Sequence, residues 1–355
     1  MPRPRTPATT SNDGVSAAIE PLMHRAARIE DAFHDLRERW GRRRGLKTTV
    51  IPYAGYGSTG WVRVLSRVVL TRGEVASQRV AKVRGWRSFM SIPVDDVVVT
   101  IVAGGVERRV TADRGGVIDT RIEVDLEPGW QTITLTAEGT DPVSAPVFII
   151  GAEERFGLLS DIDDTVMVTA LPRPFLAAWN TFVLDEHARR PVAGMAVLYE
   201  RVVRSRPGIP VIYLSTGAWN VAPTLTRFLE RNLYPRGALL LTDWGPTHDR
   251  WFRSGREHKV SSLARLAEDL PDIRWLLVGD DGQHDEEIYA DFAAKHPDNV
   301  AAIAIRQLSP GEAVFAGGRS KAADGETAGA ARWVFSPDGA GIAEQLSDAG
   351  VIDVT

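Results

Sequence analysis

The sequence contains no cysteine. That removes disulfides, thiolate catalysis and thiolate-held metals together. Any metal must be held by oxygen or imidazole ligands. No apolar run approaches the roughly 20 residues that a membrane-spanning helix needs. The opening stretch, "MPRPRTPATTSNDG", lacks the apolar centre of a secretory leader. These absences set the expectation of a cytoplasmic protein, with any membrane contact peripheral to the inner membrane. Positive charge is not in excess either. The 42 Lys and Arg stand against 46 Asp and Glu, a formal net charge of -4. This balance argues against a broad nucleic-acid surface and leaves room only for a local basic patch.

What is present suits a soluble globular protein, with 44% apolar and 25% charged residues. A length of 355 residues exceeds what one hydrophobic core usually serves, so two domains are expected. Residues 1–13 read as a disordered lead. Over 14–46, the residues Ile19, Leu22, Met23, Ala26, Ile29, Phe33, Leu36 and Trp40 recur at gaps of three and four, the pattern of an amphipathic helix. Its end is basic, "RERWGRRRGLK", and such an end can lie on anionic lipid. Glu30, Asp31 and Asp35 dilute the positive face, so the expectation is a helix docked on its own domain with solvated arginines.

Residues 47–152 carry short β-branched runs with partial alternation: "WVRVLSRVVL", "VVVTIVAG", "TRIEVDL", "WQTITLTAEG" and "VSAPVFII". Turns are expected at Asp113–Gly116 and Glu127–Trp130. Strands at this spacing without helices predict a small β-sandwich domain. From 153 to 355 the pattern changes. Apolar runs such as "FGLLSDID", "IPVIYLSTG", "GALLLTD", "IRWLLVGDD" and "VAAIAIRQL" alternate with helical stretches. The reading is an α/β domain with a parallel sheet covered on both faces. The Gly- and Ala-rich segment 309–332 is expected to be a flexible loop.

Polar residues gather where the strands of the second half stop. "LLSDIDDT" places Asp161, Asp163 and Asp164 together; "VIYLST" ends in Ser215 and Thr216; "WLLVGDD" ends in Asp280 and Asp281, with Asp285 close behind. Lys259 is expected to open a helix in "REHKVSSL". In a parallel sheet these ends share one crevice. Carboxylates a few ångströms apart repel by several kcal/mol at an effective dielectric of about 20, and a divalent cation reverses that balance. With oxygen ligands only, Mg2+ is the best candidate.

"DIDDT" resembles the D-x-D-x-T signature of the haloacid dehalogenase-like phosphohydrolases, which implies a Rossmannoid fold. Ser215, Lys259 and "GDDGQHD" resemble their second, third and fourth motifs in the right order. More narrowly, "FGLLSDIDDTV", "YLSTGAWN", "LTDWG", "FRSGREHK" and "GDDGQHDEEIY" are similar to the catalytic domain of the fungal actin-patch phosphatidate phosphatase family and its bacterial relatives, over about residues 155–308. "PYAGYG" (Pro52–Gly57) resembles the same family less specifically.

The resemblance implies a set of roles. Asp161 is the nucleophile and Asp163 the general acid and base. Ser215 hydrogen-bonds a phosphoryl oxygen, and Lys259 stabilises its charge. Thr165 fixes the turn, and Thr165, Thr216 and Gly217 lie at the substrate phosphate. Asp161, Asp280 and the Asp163 carbonyl hold Mg2+, with Asp281 and Asp285 binding it directly or through water. Apart from the resemblance, Asp164 reads as a turn or support residue, and His258 and His284 as supporting or solvent-facing histidines rather than ligands. The implied substrate is phosphatidate or a related phospholipid. Only 53 residues separate Asp161 from Ser215, which leaves little chain for a large cap over the site. The apolar segment 171–184 is a candidate lipid entry, or equally a core helix. Two rival readings stand: a phosphatase of a soluble ester, and a phospholipid-binding module without turnover. Oligomeric state is not legible.

Overall fold

A computed structural model describes residues 36–72, 92–168, 189–242, 248–282, 284–316 and 331–353. The expected disordered lead and the apolar segment 171–184 lie outside the described residues. Of the helix expected over 14–46, the described part is helical at 36–43, and a strand already begins at Leu46. Among the described residues no helix is long and apolar enough to cross a membrane.

The first half contains β1 (Leu46–Pro52), β2 (Gly55–Ser58), β3 (Trp61–Arg72), β4 (Ile92–Pro93), β5 (Val98–Ala103), β6 (Val106–Thr111), β7 (Val117–Glu123), β8 (Gly129–Ala137) and β9 (Val143–Ile150). They form one continuous hydrogen-bonded sheet of nine strands where a small β-sandwich was expected. The reason is β3. Its 12 residues pair with β1, β2, β4 and β7, which ties together strands that two separate sheets would divide. Alternation still builds the core. Val62, Val64, Val68 and Leu70 of β3 face Val99 and Ile101 of β5, Ile133 and Leu135 of β8, and Val147 and Ile149 of β9. The expected turns need left-handed glycines, and Gly116 (φ 71°) and Gly129 (φ 96°) supply them.

The second half contains β10 (Phe156–Asp161), β11 (Met167–Val168), β12 (Arg190–Pro191), α1 (Met195–Ser205), β13 (Val211–Ala218), α2 (Ala222–Arg231), β14 (Ala238–Thr242), α3 (His248–Asp269), β15 (Arg274–Asp280), α4 (Asp285–Lys295), β16 (Val300–Arg306), α5 (Pro310–Ala316), β17 (Arg332–Ser336) and α6 (Gly339–Asp348). The helix α5 and the start of β17 fall inside the segment read as a loop, whose residues 317–330 are not described. The six-stranded sheet has the order β14-β13-β10-β15-β16-β17 and is parallel throughout. After β10 the chain builds outward to β13 and β14, then returns to the other side of β10 for β15. This is a topological switch point, where the diverging connections leave a crevice above the carboxyl ends. Asp161, Ser215 and Asp280 stand on the three adjacent strands β10, β13 and β15.

The two halves share one apolar cluster. Tyr53, Tyr56, Trp61 and Leu65 from the first sheet are buried with Leu158, Tyr213 and Leu263 of the second half. The Tyr53 ring stacks on Trp219 at 4.8 Å, and its hydroxyl donates to the Trp219 carbonyl at 3.2 Å. At the far end of α3, Asp269 accepts from Arg63 (3.3 Å) and Arg121 (3.0 Å), while Arg265 pairs with Asp119 at 2.8 Å.

Candidate active site

The acid-rich turn after β10 is set by backbone geometry. Asp164 adopts φ 57°, its amide donates to the Met167 carbonyl at 2.8 Å, and the chain reverses into β11. Asp and Asn tolerate this left-handed conformation better than most residues. Asp161 and Asp163, two residues apart, both end buried in the crevice.

Lys259 lies in the middle of α3 and does not open it, because the helix already begins at His248. Gly255 lets α3 approach closely: a Cβ there would come within 3.0 Å of the Thr216 side chain. The buried Lys259 ammonium stands 2.7 Å from Asp161 Oδ1 and 2.5 Å from Asp285 Oδ1. Burial pulls its proton affinity down, but the charges of Asp161 and Asp285 outweigh that and hold it above the ordinary lysine value.

Asp161, Asp280 and Asp285 each offer an oxygen, and these oxygens lie within 4.8 Å of one another. Asp280 Oδ1 accepts from the Gly282 amide at 2.8 Å. Its Oδ2, the Oδ2 of Asp285 and the Oδ1 of Asp163 are buried without a partner among the described residues. Burial pushes the Asp161 carboxyl well above the usual carboxylate range, with Lys259 opposing and Asp285 adding to the rise. Burial does the same to Asp280, reinforced by the charges of Asp285 and Asp161. Orphaned oxygens and disfavoured charges describe a cluster that could hold a cation.

Burial also pushes Asp163 up, to about 6, against the hydrogen bond from Ser215. Ser215 Oγ donates to Asp163 Oδ2 at 3.0 Å and accepts from the Gly217 amide at 3.0 Å. The Thr216 and Gly217 carbonyls accept from Thr242 Oγ1 at 3.1 and 3.2 Å. Thr165 is buried, with its hydroxyl unpartnered among the described residues. The two acids of uncertain role now differ. Asp285 belongs to the triad, whereas Asp281 Oδ1 accepts from the Leu308 amide at 2.8 Å and ties down the loop after β16. His258 is half-buried, and desolvation pushes its imidazole down to about 4. His284 is exposed, immediately before α4.

Sequence reasoning missed Arg306. This buried residue ends β16, donates through Nη1 to the Asp164 carbonyl at 2.6 Å, and pairs with Glu312 at 2.6 Å. Its own carbonyl receives the Asp281 amide at 3.0 Å. One residue, through its side chain and its carbonyl, thus fastens the turn after Asp163 to the loop that carries Asp281. The available sign was an arginine closing an otherwise apolar strand, "VAAIAIR".

Comparison with known proteins bears on the same half of the chain. Residues 156–307 match the family described as phosphatidate phosphatase APP1, catalytic domain. Phosphatidate phosphatase APP1 of Saccharomyces cerevisiae is 27% identical over 237 residues, covering 63% of this chain and 40% of the yeast protein. An uncharacterized protein of Schizosaccharomyces pombe is 27% identical over 152 residues, covering 42% of this chain and 25% of that one. The chain therefore spans well under half the length of these relatives. Among solved structures, a carbohydrate acetylesterase from Xanthomonas citri aligns at 10% identity with a TM-score of 0.28, covering 74% of this chain and 68% of that one, too slight a likeness to carry an argument. The α/β half of the chain is thus similar to the catalytic domain of the APP1 phosphatidate phosphatases.

Proposed function

We propose that the protein is a magnesium-dependent phosphatase that hydrolyses phosphatidate or a related phospholipid phosphomonoester to diacylglycerol and phosphate. The observation that carries this is the buried triad of Asp161, Asp280 and Asp285 beside Asp163, on a domain similar to phosphatidate phosphatases. The donor set fits a hard dication. All three ligands are carboxylates, two of them keep an orphaned oxygen, and three carboxylates against the one ammonium of Lys259 leave a formal excess of two negative charges. Asp161, Asp280 and Asp285 would hold the ion, with the Asp163 carbonyl as a further ligand. When bound, it would neutralise the crowded carboxylates and the incoming phosphate.

The residues then divide the work as in haloacid dehalogenase-like phosphohydrolases. An Asp161 carboxylate oxygen attacks phosphorus, and the bond from phosphorus to the alkoxide breaks. Asp163, raised to about 6 and so able to carry a proton near neutral pH, gives it to the departing oxygen. A water then attacks the aspartyl-phosphate, Asp163 takes its proton, and phosphate leaves with Asp161 restored. Ser215, freed from Asp163 Oδ2, donates to a phosphoryl oxygen together with the Gly217 amide and Lys259. Thr165 and Thr216 border the same space.

Phosphate release from phosphatidate in mixed micelles, with magnesium and with chelator, tests the reading. Asp161→Asn is expected to abolish release. Asp163→Asn should lower kcat by roughly 10²–10⁴-fold, the usual scale for a lost general acid. Turnover of a soluble phosphate ester with none on phosphatidate would move the substrate to the soluble class.

A further inference from the structure

A second feature lies outside the catalytic cluster. Over residues 36–47, "LRERWGRRRGLK", charge dominates: Arg37, Arg39, Arg42, Arg43, Arg44 and Lys47 stand against the single carboxylate of Glu38, in a chain whose total is -4. All six basic residues are exposed. Two large apolar side chains are exposed with them, Leu36 at 65% and Trp40 at 49%. The Arg44 guanidinium lies over the Trp40 ring at 3.7 Å, and Glu38 is taken up by Arg42 at 2.8 Å.

The docking of this helix end on its own domain runs through Gly41, not through Trp40. Gly41 is buried, and a Cβ there would come within 2.9 Å of Ile92 and 3.0 Å of Leu70. Glycine seats the helix on the tip of the β1–β3 ribbon and leaves Trp40 and the arginines turned outward.

Topology sets where that tip points. β3 starts beside the carboxyl end of α3, where Arg63 meets Asp269. Two residues on, Leu65 pairs with Asp119, the partner of Arg265. The strand therefore climbs along α3 from Asp269 toward Lys259. Tyr53, bonded to the Leu65 carbonyl, reaches Trp219 at the carboxyl end of β13. From Ser66 to Arg72, β3 pairs with β1 and continues about 20 Å in the same direction at roughly 3.3 Å per residue. The basic tip thus lies at the end of the β1–β3 ribbon away from the Arg63 contact with Asp269.

We propose that residues 36–47 form a docking surface for an anionic phospholipid bilayer, with the arginines at the headgroups and Trp40 and Leu36 in the interface. Tryptophan and arginine are the side chains suited to that layer, one amphipathic and the other cationic. The helix end would seat the protein with its site toward the lipid. This goes beyond the phosphatase reading, because the lipid bound here need not be the one hydrolysed. The acidic remainder of the chain would hold the rest of the molecule off the same surface, so the tip also sets orientation.

Vesicle flotation with the full chain tests it, using phosphatidylcholine alone and phosphatidylcholine with about one-third phosphatidylglycerol. Neither is a phosphomonoester, so binding is read apart from turnover. Binding to the mixed vesicles only, weakened at least tenfold by high salt, is the expected result. Arg43→Glu/Arg44→Glu and, separately, Trp40→Ala should each weaken it by roughly fivefold or more, about the contribution of one basic residue at a charged membrane. Both variants alter exposed positions, and unchanged thermal unfolding would show that they fold. Equal binding to neutral vesicles, no binding at all, or wild-type binding by the variants would overturn the proposal. Tighter binding to a short DNA duplex than to the mixed vesicles at the same salt would overturn it too.

Discussion

Arg306 acts on the site without belonging to it. Its guanidinium spans the Asp164 carbonyl and Glu312, and its position at the end of β16 faces Asp280 in register. A lysine keeps the charge and loses the planar fork, so the two contacts can no longer be held together. Arg306→Lys is expected to lower kcat by roughly tenfold or more while leaving the fold intact. A kcat equal to wild type would remove Arg306 from this role. The acids make a second prediction at the same scale. Asp161, Asp163 and Asp280 all have proton affinities raised by burial. A carboxyl that is harder to ionise in the folded state stabilises the fold at low pH and loses that contribution as pH rises through its folded value, about 6 for Asp163. The metal-free protein should thus lose stability from these groups as pH rises from about 4 through 6 and above. Magnesium should offset the loss, so the Tm gain on adding it should be larger at about pH 8 than at about pH 5.5. Asp280→Asn should shrink that gain. A gain independent of pH in the wild type would argue against a cation in the triad.

At the scale of elements, α3 connects the chemistry to the first sheet. Lys259 sits near its middle, and its last two turns are held by Arg63, Asp119 and Arg121. Arg121 is only half-sheltered and also lies over the Trp61 ring at 4.4 Å. An ion pair so exposed contributes little, so a double-mutant cycle of Asp269→Asn with Arg121→Ala should give a coupling of about 0.5–1 kcal/mol. Tyr53→Phe tests the other contact. It keeps the ring stack on Trp219 and removes one hydrogen bond, with an expected cost of about 1 kcal/mol. The six parallel strands of the second half, the last of them in "WVFSPDG", were legible because buried parallel strands are continuous apolar runs between turn residues. β6 was not, since "VERRVT" is a mostly exposed edge strand whose charges suppress the apolar pattern. β1 was hidden by the helical spacing that leads into it. α5 was missed because seven residues are too few to show a helical period.

Across the whole molecule, the apolar cluster shared by the two halves implies that they unfold together. Leu65 belongs to a strand of the first sheet yet is buried in the core of the second half. Leu65→Ala should cost roughly 2–5 kcal/mol and shift a single cooperative transition to lower temperature. Two separate transitions, only one of them shifted, would show that the halves are independent. The sequence alone determined the parallel α/β half, the strand-end placement of the acids and the absence of any thiolate chemistry. Local pattern and residue identity are sufficient for these, because strand periodicity and ligand chemistry are written in neighbouring residues. Tertiary structure decided which acids meet. Asp285 joins Asp161 and Asp280 while Asp281 turns to Leu308, because adjacent residues on a tight loop point in different directions. It also decided that nine strands form one sheet, that Arg306 bonds the turn after Asp163, that Tyr53 packs on Trp219, and that Gly41 rather than Trp40 seats the basic helix end. Each of these depends on contacts between residues far apart in the chain, where spacing in the sequence carries no information.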